Sequence, residues 1–454
     1  MFISKREDLF KRNLSSPQLI AVSFLVAILL GGILLSLPFS HSTESTVSPL
    51  DALFTATSAL CVTGLAVVDT GKDYSFMGQI IVMLLVQIGG FGIITLGTIV
   101  ALVSGRRIGF RERLNLQAQI NTLHVGGVVN LLRRLLWLVV LIESVGALLL
   151  FIPFALKEGV IRGLYFSIFH SISAFNNAGF GLYSDNLMQF VADPLVNFTI
   201  MALIVLGGLG FLAEIDVILR LRERQKVRRS LFLHTKIVLL TTLVLIVGGA
   251  LIILLFEWDN VHTLGTHPLP IKVLASLFQS VTPRTAGFNT LDYGKMYDGT
   301  LAFTMLLMFI GGSPGSTAGG IKTVTFFVLI GSAWSVSRGQ GELVAFGRKI
   351  DYATVARAGS IAFLSVMLVG GMVTLLSFTN PDIPFYRLTF EAISAFGTVG
   401  LSTGITPSLS ASSKVILILL MYLGRIGPLT LALALMKSTQ GKQIEYPTED
   451  VLIG

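Results

Sequence analysis

The sequence predicts an all-α membrane protein with eight transmembrane spans and four re-entrant pore helices. Of its 454 residues, 53% are apolar and only 13% are charged, and the mean hydropathy is +0.80. This composition excludes an ordinary soluble domain. A short segment ending in glycine also recurs four times, with glycines 115, 108 and 113 residues apart. A period that long indicates four copies of one large unit, which can form a ring around a cation pore.

Eight apolar stretches are long enough, at about 20 residues each, to cross a hydrocarbon core of roughly 30 Å. They lie near 18–38, 77–103, 135–155, 195–219, 237–256, 300–335, 359–378 and 415–436. The first stretch is too long for the apolar region of a signal peptide and lacks a small-residue cleavage site, so we expect a retained span. The single cysteine, Cys61, excludes a disulfide framework.

The basic residues predict the orientation. With both termini on one side, that side carries 23 of the 33 Lys and Arg residues and the opposite side carries seven. The basic side comprises both tails and the loops 104–134, 220–236 and 338–357. The positive-inside rule therefore predicts a multi-pass protein of the cell membrane with both termini in the cytoplasm. We interpret the basicity as contact with anionic lipid, and we expect no nucleic-acid partner.

Each copy has the order span, short apolar piece, glycine turn, span. The four repeats are predicted at 14–105, 128–221, 234–338 and 355–440. The short pieces lie near 50–61, 163–176, 272–282 and 385–397, and each has a phenylalanine nine or ten residues before its glycine: Phe54, Phe169, Phe278 and Phe390. Pieces of this length cannot cross a bilayer, which predicts re-entrant helices around an aqueous cavity.

The glycine turns are the candidate ion-binding residues. A potassium ion loses its hydration shell only where oxygens replace it, and glycine allows the positive φ that aims successive carbonyls at one axis. Thr398-Val399-Gly400 is a truncated form of the Thr-Val-Gly-Tyr-Gly filter of potassium channels. The other turns are looser variants: Val62-Thr63-Gly64, Asn177-Ala178-Gly179 and Thr285-Ala286-Gly287. Together they predict a potassium filter.

A second glycine motif follows each turn. The motifs Ile88-Gly-Gly-Phe-Gly92, Leu206-Gly-Gly-Leu-Gly210, Ile310-Gly-Gly-Ser-Pro-Gly315 and Leu423-Gly-Arg-Ile-Gly427 begin 24, 27, 23 and 23 residues after the turn glycines. Close helix packing accounts for part of this pattern. The matching depth in four copies further predicts inner helices that line a pore.

These turns and motifs resemble the Trk/Ktr/HKT superfamily of potassium transporters over residues 14 to 440, and the eight-span length most resembles the Ktr membrane subunit. The resemblance implies pseudo-fourfold symmetry around one central pore and, through the four turn glycines, potassium selectivity. It further implies a homodimer and a separate cytoplasmic ring with nucleotide-binding domains. Such a ring would dock on basic faces such as 104–113, 220–229 and 338–349. The chain itself shows no nucleotide-binding motif.

A glycine-rich segment interrupts the sixth span and is the candidate gate. It consists of Gly311, Gly312, Ser313, Pro314, Gly315, Ser316, Thr317, Ala318, Gly319 and Gly320, with Lys322 just beyond. A helix cannot continue through this segment, and broken helices at membrane depth usually mark binding or gating sites. The resemblance implies an intramembrane loop that obstructs the cytoplasmic half of the pore. It gives Arg425, in the eighth span, a role in restricting the same path; a structural pair with a neighbouring helix is the alternative.

Four further ionisable side chains lie in apolar segments or beside the turns. Arg284 precedes the third turn, and we expect it to point away from the axis and to pair with Glu391 or Asp51. The alternative for Glu391 is exposure to the outer water. Glu143, inside the third span, is expected to make a hydrogen bond between helices, and His170 to be a packed histidine.

The function predicted from the sequence is potassium uptake through a channel-like path, with potassium as the transported ion. The alternative is a secondary transporter of a small solute, although such folds favour ionisable residues near the midplane, and the turns share none. An enzyme is not expected, because no Ser–His or paired-carboxylate arrangement recurs in the repeats.

Overall fold

The computed structural model describes residues 16–43, 45–92, 128–222 and 230–427. The tails, most of the loop 104–134 and the basic segment 223–229 lie outside the described residues, as do the ends of the stretches predicted at 77–103 and 415–436. The described part is helical except for 3-10 turns, connecting loops and one antiparallel hairpin, formed by β1 (Leu343–Ala345) and β2 (Arg348–Ile350).

The first two copies contain seven helices in the described residues. These are α1 (Ser16–Ser36), α2 (Pro49–Leu60), α3 (Phe76–Phe91), α4 (Val128–Glu158), α5 (Val160–Phe175), α6 (Pro194–Leu209) and α7 (Phe211–Arg222). The last two copies contain seven more. These are α8 (Leu233–Glu257), α9 (Leu269–Val281), α10 (Asp298–Phe309), α11 (Thr323–Ser337), α12 (Tyr352–Thr379), α13 (Phe385–Gly397) and α14 (Ala411–Ile426).

Capping residues explain where three of the helices after the turns begin. The side chains of Ser75, Asp193 and Ser410 accept hydrogen bonds from backbone N–H groups in the first turns of α3, α6 and α14. These bonds satisfy donors that have no partner within the helix. Each of these three helices therefore starts at a residue fixed by the sequence.

The four short pieces predicted from the sequence are the helices α2, α5, α9 and α13, which lie buried within the protein, and their re-entrant placement in a membrane stays a prediction. Their phenylalanines, Phe54, Phe169, Phe278 and Phe390, are at most 1% exposed. The long helices lie outside them: in α1, α4, α8 and α12 a third or less of the apolar window is buried. Large apolar side chains such as Leu30, Trp137 and Leu255 remain exposed on that outer surface, as expected for helices that face lipid.

Four helices of the described part are long and apolar enough to cross a membrane, namely the first helix of each copy. A fifth candidate is the pair Pro194–Leu209 and Phe211–Leu221, which is bent by 101°. The stretch predicted at 195–219 is therefore not one straight helix, because Gly210 takes a φ of +90° and ends α6. By length and composition the described residues hold four or five spans, and the eight-span arrangement stays a prediction.

Candidate functional site

The four glycine turns share one backbone conformation. The residue two positions before each glycine has a positive φ: 58° at Val62, 58° at Asn177, 71° at Thr285 and 51° at Thr398. The glycines follow with φ of 93°, 68°, 76° and 88° in Gly64, Gly179, Gly287 and Gly400. Positive φ is strained for β-branched residues and persists only where the surroundings hold it. The same strained path in four copies indicates that the protein requires it.

The turns meet in a closed ring. A Cβ added to Gly179 would lie 2.8 Å from the carbonyl oxygen of Ala286, and one added to Gly287 would lie 2.6 Å from that of Val399. A Cβ on Gly64 or Gly400 would overlap the carbonyl oxygen of Ala178 or Thr63. Each glycine thus abuts the residue before the next glycine, in the order 64, 179, 287, 400 and back to 64. The structure brings all four predicted turns together.

The ends of the short helices support three of the turns in the same way. The backbone N–H groups of Thr63, Ala178 and Val399 each donate to a serine carbonyl at 2.8 Å, namely Ser58, Ser173 and Ser394. The third turn differs, since Ala286 N donates to the Thr282 carbonyl at 2.9 Å. Its phenylalanine-to-glycine spacing is one residue shorter, and the bond pattern shifts accordingly.

Three threonine hydroxyls of the ring are buried and have no hydrogen-bond partner among the described residues. They are the Oγ1 atoms of Thr63, Thr285 and Thr398. Buried polar atoms without partners are uncommon in proteins and call for an explanation. These oxygens are free to contact a ligand or to turn towards one.

The glycine-rich segment forms a loop that is closed at its ends. Helix α10 ends at Phe309 and α11 begins at Thr323, which confirms the predicted interruption. Gly311 N donates to the Ile321 carbonyl at 2.8 Å, and Thr323 N donates to the Gly312 carbonyl at 3.0 Å. We call residues 311–322 the interrupting loop.

The interrupting loop packs on α6 and on the ring. Ser313 N and Thr317 N donate to the carbonyls of Gly208 and Gly207, at 3.0 and 3.2 Å. A Cβ on Gly319 would overlap Oγ1 of Thr398. The loop therefore lies directly against the fourth turn and is held there by the inner helix of the second copy.

Two basic side chains donate hydrogen bonds to carbonyls of the interrupting loop. Lys322 Nζ donates to the Ala318 carbonyl at 2.7 Å. The Arg425 guanidinium donates to the carbonyls of Thr317 and Gly89, so it joins the loop to α3. The structure thus places both predicted gate cations at the loop, and Arg425 also bridges the last copy to the first.

Close packing explains the first glycine of the second motif. A Cβ on Gly89, Gly207 or Gly424 would overlap the carbonyl of Leu60, Phe175 or Phe396, at the end of a short helix. The last glycine of the motif ends a helix. The sequence analysis predicted such an end only in the third copy, at the interruption of the sixth span. Gly92, Gly210 and Gly427 have φ of 79°, 90° and 90°, and they end α3, α6 and α14. The recurrence of this glycine was the available signal.

The expected ion pairs of Arg284 are wrong. Arg284 Nη2 donates to Thr242 Oγ1 at 3.1 Å, and both carboxylates are occupied elsewhere. Lys414 Nζ binds Asp51 Oδ1 at 2.6 Å. Glu391 does not face the outer water either: it is fully buried, and its oxygens accept hydrogen bonds from the chain after the fourth turn.

Glu391 occupies a position that recurs behind every turn. Ser402 Oγ, Thr403 N and Thr406 Oγ1 donate to its carboxylate at 2.7, 3.0 and 2.8 Å. The corresponding residues of the other short helices are Thr55, His170 and Gln279, and all four are at most 1% exposed. Leu182 N approaches His170 Nε2 at 3.4 Å, and the Gln279 amide contacts Thr290 Oγ1 at 3.2 Å. In the last three copies this side chain therefore contacts the chain that leaves the turn.

The expectations for Glu143 and His170 are confirmed. Glu143 accepts hydrogen bonds from Gln87 of α3 and Asn176, which follows α5. His170 packs among aromatic rings, with Phe154 and Tyr183 at centroid distances of 5.2 and 5.5 Å. The described residues hold no group of three or more His, Cys, Asp or Glu that could bind a metal ion.

Comparison with known proteins identifies the family. The TrkH family model, described as a cation transport protein, matches residues 3–446. The chain belongs to the TrkH family. This family membership and the apolar helices make it a multi-pass membrane protein involved in ion transport.

Curated TrkH-family relatives match the chain over nearly its whole length. Ktr system potassium uptake protein B of Bacillus subtilis (strain 168) is 44% identical over 96% of each chain. Potassium/sodium uptake protein NtpJ of Enterococcus hirae is 38% identical over 98% of each chain. The crystal structure of TrkH from Vibrio parahaemolyticus aligns with a TM-score of 0.72, at 19% identity, over 94% of this chain and 86% of that one. At that identity the structural match shows the fold alone.

Proposed function

We propose that this chain takes up potassium across the cell membrane through a channel-like pore at the ring of turns. The closed contact of the four turn glycines with the carbonyls of their neighbours is the observation that carries the proposal. Potassium needs a set of oxygens that replaces its hydration shell. Relatives of 44% and 38% identity are named potassium uptake and potassium/sodium uptake proteins, which supports the same cargo.

The proposed filter consists of the twelve residues of the turns, and the ion contacts their backbone carbonyls. The unpartnered hydroxyls of Thr63, Thr285 and Thr398 are further oxygens at the same place. In this arrangement the four repeats (14–105, 128–221, 234–338 and 355–440) surround one pore with pseudo-fourfold symmetry. The short helices α2, α5, α9 and α13 are then the re-entrant pore helices of an eight-span protein.

The interrupting loop is the proposed gate. It packs against the fourth turn, and Lys322 and Arg425 bind three of its successive carbonyls, those of residues 317–319. A loop in this position obstructs an ion that leaves the ring towards the cytoplasm. Opening requires these hydrogen bonds to break or to exchange partners.

Regulation by a separate cytoplasmic subunit with nucleotide-binding domains belongs to the same proposal. Several relatives carry "Ktr system" in their names, which indicates a protein that works with further components. We propose a homodimer of this chain with both termini in the cytoplasm. Its basic cytoplasmic faces, 104–113, 220–229 and 338–349, would receive the subunit.

Uptake into liposomes tests the proposal. Purified chain is reconstituted into vesicles loaded with potassium, and entry of tracer rubidium is compared with entry of tracer sodium. We expect preferential rubidium entry that external potassium abolishes. Equal entry of both ions would overturn the selectivity, and an absence of flux both with and without the co-expressed cytoplasmic subunit would overturn the transport function.

A further inference from the structure

A carboxylate lies directly behind the second turn, although the apolar helix that carries it faces lipid. Glu143 Oε1 accepts hydrogen bonds from Gln87 Nε2 and Asn176 Nδ2, both at 3.1 Å. Asn176 lies three residues before Gly179 and is 1% exposed. An ionisable side chain inside a membrane span costs free energy and is usually retained for a function.

The same amide of Asn176 has two further acceptors. Its Nδ2 lies 2.8 Å from Gln87 Oε1 and 2.9 Å from the carbonyl oxygen of Ile172. Residues from α3, α4 and α5 thus hold one side chain, and we call Glu143, Gln87 and Asn176 the amide clamp. In addition, Ser171 Oγ donates to the Glu143 carbonyl at 2.7 Å, which fixes α5 against α4.

The amide clamp distinguishes the second turn from the other three. The residues at the position of Asn176 are Cys61, Arg284 and Gly397, none of which has a side-chain amide. Asn176 immediately precedes Asn177, whose φ is 58°. Because a strained backbone persists only where its neighbours determine it, the clamp lies where it can fix the path of this turn.

We propose that Glu143 is a positioning residue for ion selectivity, and that it acts on the second turn through Gln87 and Asn176. The inference rests on the proposed ring filter. In this filter, the Glu143 side chain contacts no ion. It limits the range of backbone positions that the second turn can adopt. The carboxylate oxygens of Glu143 position the turn as hydrogen-bond acceptors, because each of their contacts in the amide clamp is a hydrogen bond from an amide.

Gly90 supplies an independent argument for the clamp. A Cβ on Gly90 would overlap Oδ1 and Cγ of Asn176 and lie 3.0 Å from its Cβ. The amide therefore reaches its position only because α3 has no side chain there. Substitution of Gly90 displaces Asn176 sterically and leaves Glu143 and Gln87 intact.

The test compares variants of Glu143 by their rubidium-over-sodium uptake ratio in the liposome assay. Glu143→Leu removes both acceptor oxygens at similar volume, and we expect the ratio to fall by about fivefold, equivalent to roughly 1 kcal/mol for the lost hydrogen bond from Asn176. Glu143→Gln keeps one acceptor oxygen and should retain most of the ratio. Glu158→Leu, on the same helix in a pair with Arg162 at 3.4 Å, is the matched control and should leave the ratio unchanged.

A second set of variants keeps the inference testable if Glu143→Leu does not fold. Asn176→Ala and Gly90→Ala should each lower the ratio, and Glu143→Leu added to Asn176→Ala should lower it no further. An unchanged ratio in folded Glu143→Leu or in Asn176→Ala would overturn the inference, as would additive losses in the double variant. A wild-type protein without selectivity would instead refute the proposed filter, so the two failures are distinct.

Discussion

Lys414 Nζ lies 2.6 Å from Asp51 Oδ1, and these residues belong to the last and the first copy of the repeat. Asp51 stands in the first turn of α2, where the Ser48 hydroxyl also contacts it, and Lys414 stands in the first turn of α14. Both side chains are mostly buried, at 18% and 14% exposure. The pair therefore joins the last copy to the first, as the contact of Gly400 with the Thr63 carbonyl does in the ring of turns.

Loss of this ion pair should destabilise the folded chain. Lys414→Met leaves the Asp51 carboxylate without its cation, and we expect a loss of about 1–3 kcal/mol, between the values typical of exposed and of buried pairs. Thermal unfolding in detergent measures the effect. Asp51→Asn combined with Lys414→Met should recover part of the loss, whereas Lys295→Met, in an exposed pair with Asp292, should cost little. Equal stability of Lys414→Met and wild type would show that the pair does not hold the ring closed.

Serine at Gly64 should relax selectivity for potassium over sodium. The new Cβ would overlap the Ala178 carbonyl, and the residue would also keep an unfavourable φ of 93°. Gly404 separates these two effects, because its φ is 87° but nothing lies within 4 Å of an added Cβ. We therefore expect Gly64→Ser, and not Gly404→Ser, to lower the rubidium-over-sodium uptake ratio. Similar ratios in the two variants would contradict the ring at the first turn.

Removal of the Glu391 carboxylate should destabilise the fourth copy. Glu391→Leu leaves the Thr403 N–H and two hydroxyls without their buried acceptor, and each unsatisfied buried group costs about 1–3 kcal/mol. We expect a marked drop in the thermal unfolding temperature in detergent. Thr389→Leu on the exposed face of the same helix is the control, because its hydroxyl donates only to the Phe385 carbonyl in its own helix. A drop of the same size in both variants would refute the structural role of Glu391.

The sequence predicts the repeats and the short helices because those features depend on local pattern. Each short helix and its turn, such as Phe54–Gly64, can be recognised from a local pattern. The pattern is a phenylalanine nine or ten residues before a glycine, between apolar stretches. The closed ring could be anticipated as an arrangement, but the order in which its turns contact one another could not. That order depends on which neighbour each copy packs against, and this information is not local.

The partners of buried charges could not be predicted, and the reason is physical. Arg284 was expected to bind Asp51 or Glu391, because a buried cation usually takes a carboxylate. Asp51 instead binds Lys414, which lies 363 positions away, and Glu391 takes donors from its own copy. Side-chain pairing across copies depends on distances that only the packed structure supplies. The helix ends at Gly92, Gly210 and Gly427 were missed because the apolar stretch in the sequence continues past each of these glycines.

Deletion of residues 313–318 should raise basal ion flux. These residues include the donors that bind the loop to Gly207 and Gly208 of α6, and Thr317, whose carbonyl binds Arg425. The bonds at the base of the loop, from Gly311 N to Ile321 and from Thr323 N to Gly312, remain available to a shortened loop. Helices α10 and α11 can therefore keep their positions while the proposed obstruction is removed.

Arg425→Gln provides the complementary test without any change in chain length. It removes the charge and shortens the reach to the Thr317 and Gly89 carbonyls, so the loop loses its link to α3 while the contacts with α6 and Lys322 persist. We therefore expect a smaller rise in rubidium uptake than in the deletion variant, with the selectivity ratio unchanged in both. Arg357→Gln, on the exposed surface of α12, is the matched control and should leave uptake as in wild type. Uptake at or below the wild-type level in both the deletion variant and Arg425→Gln, with monodisperse protein, would mean that the interrupting loop does not obstruct the path.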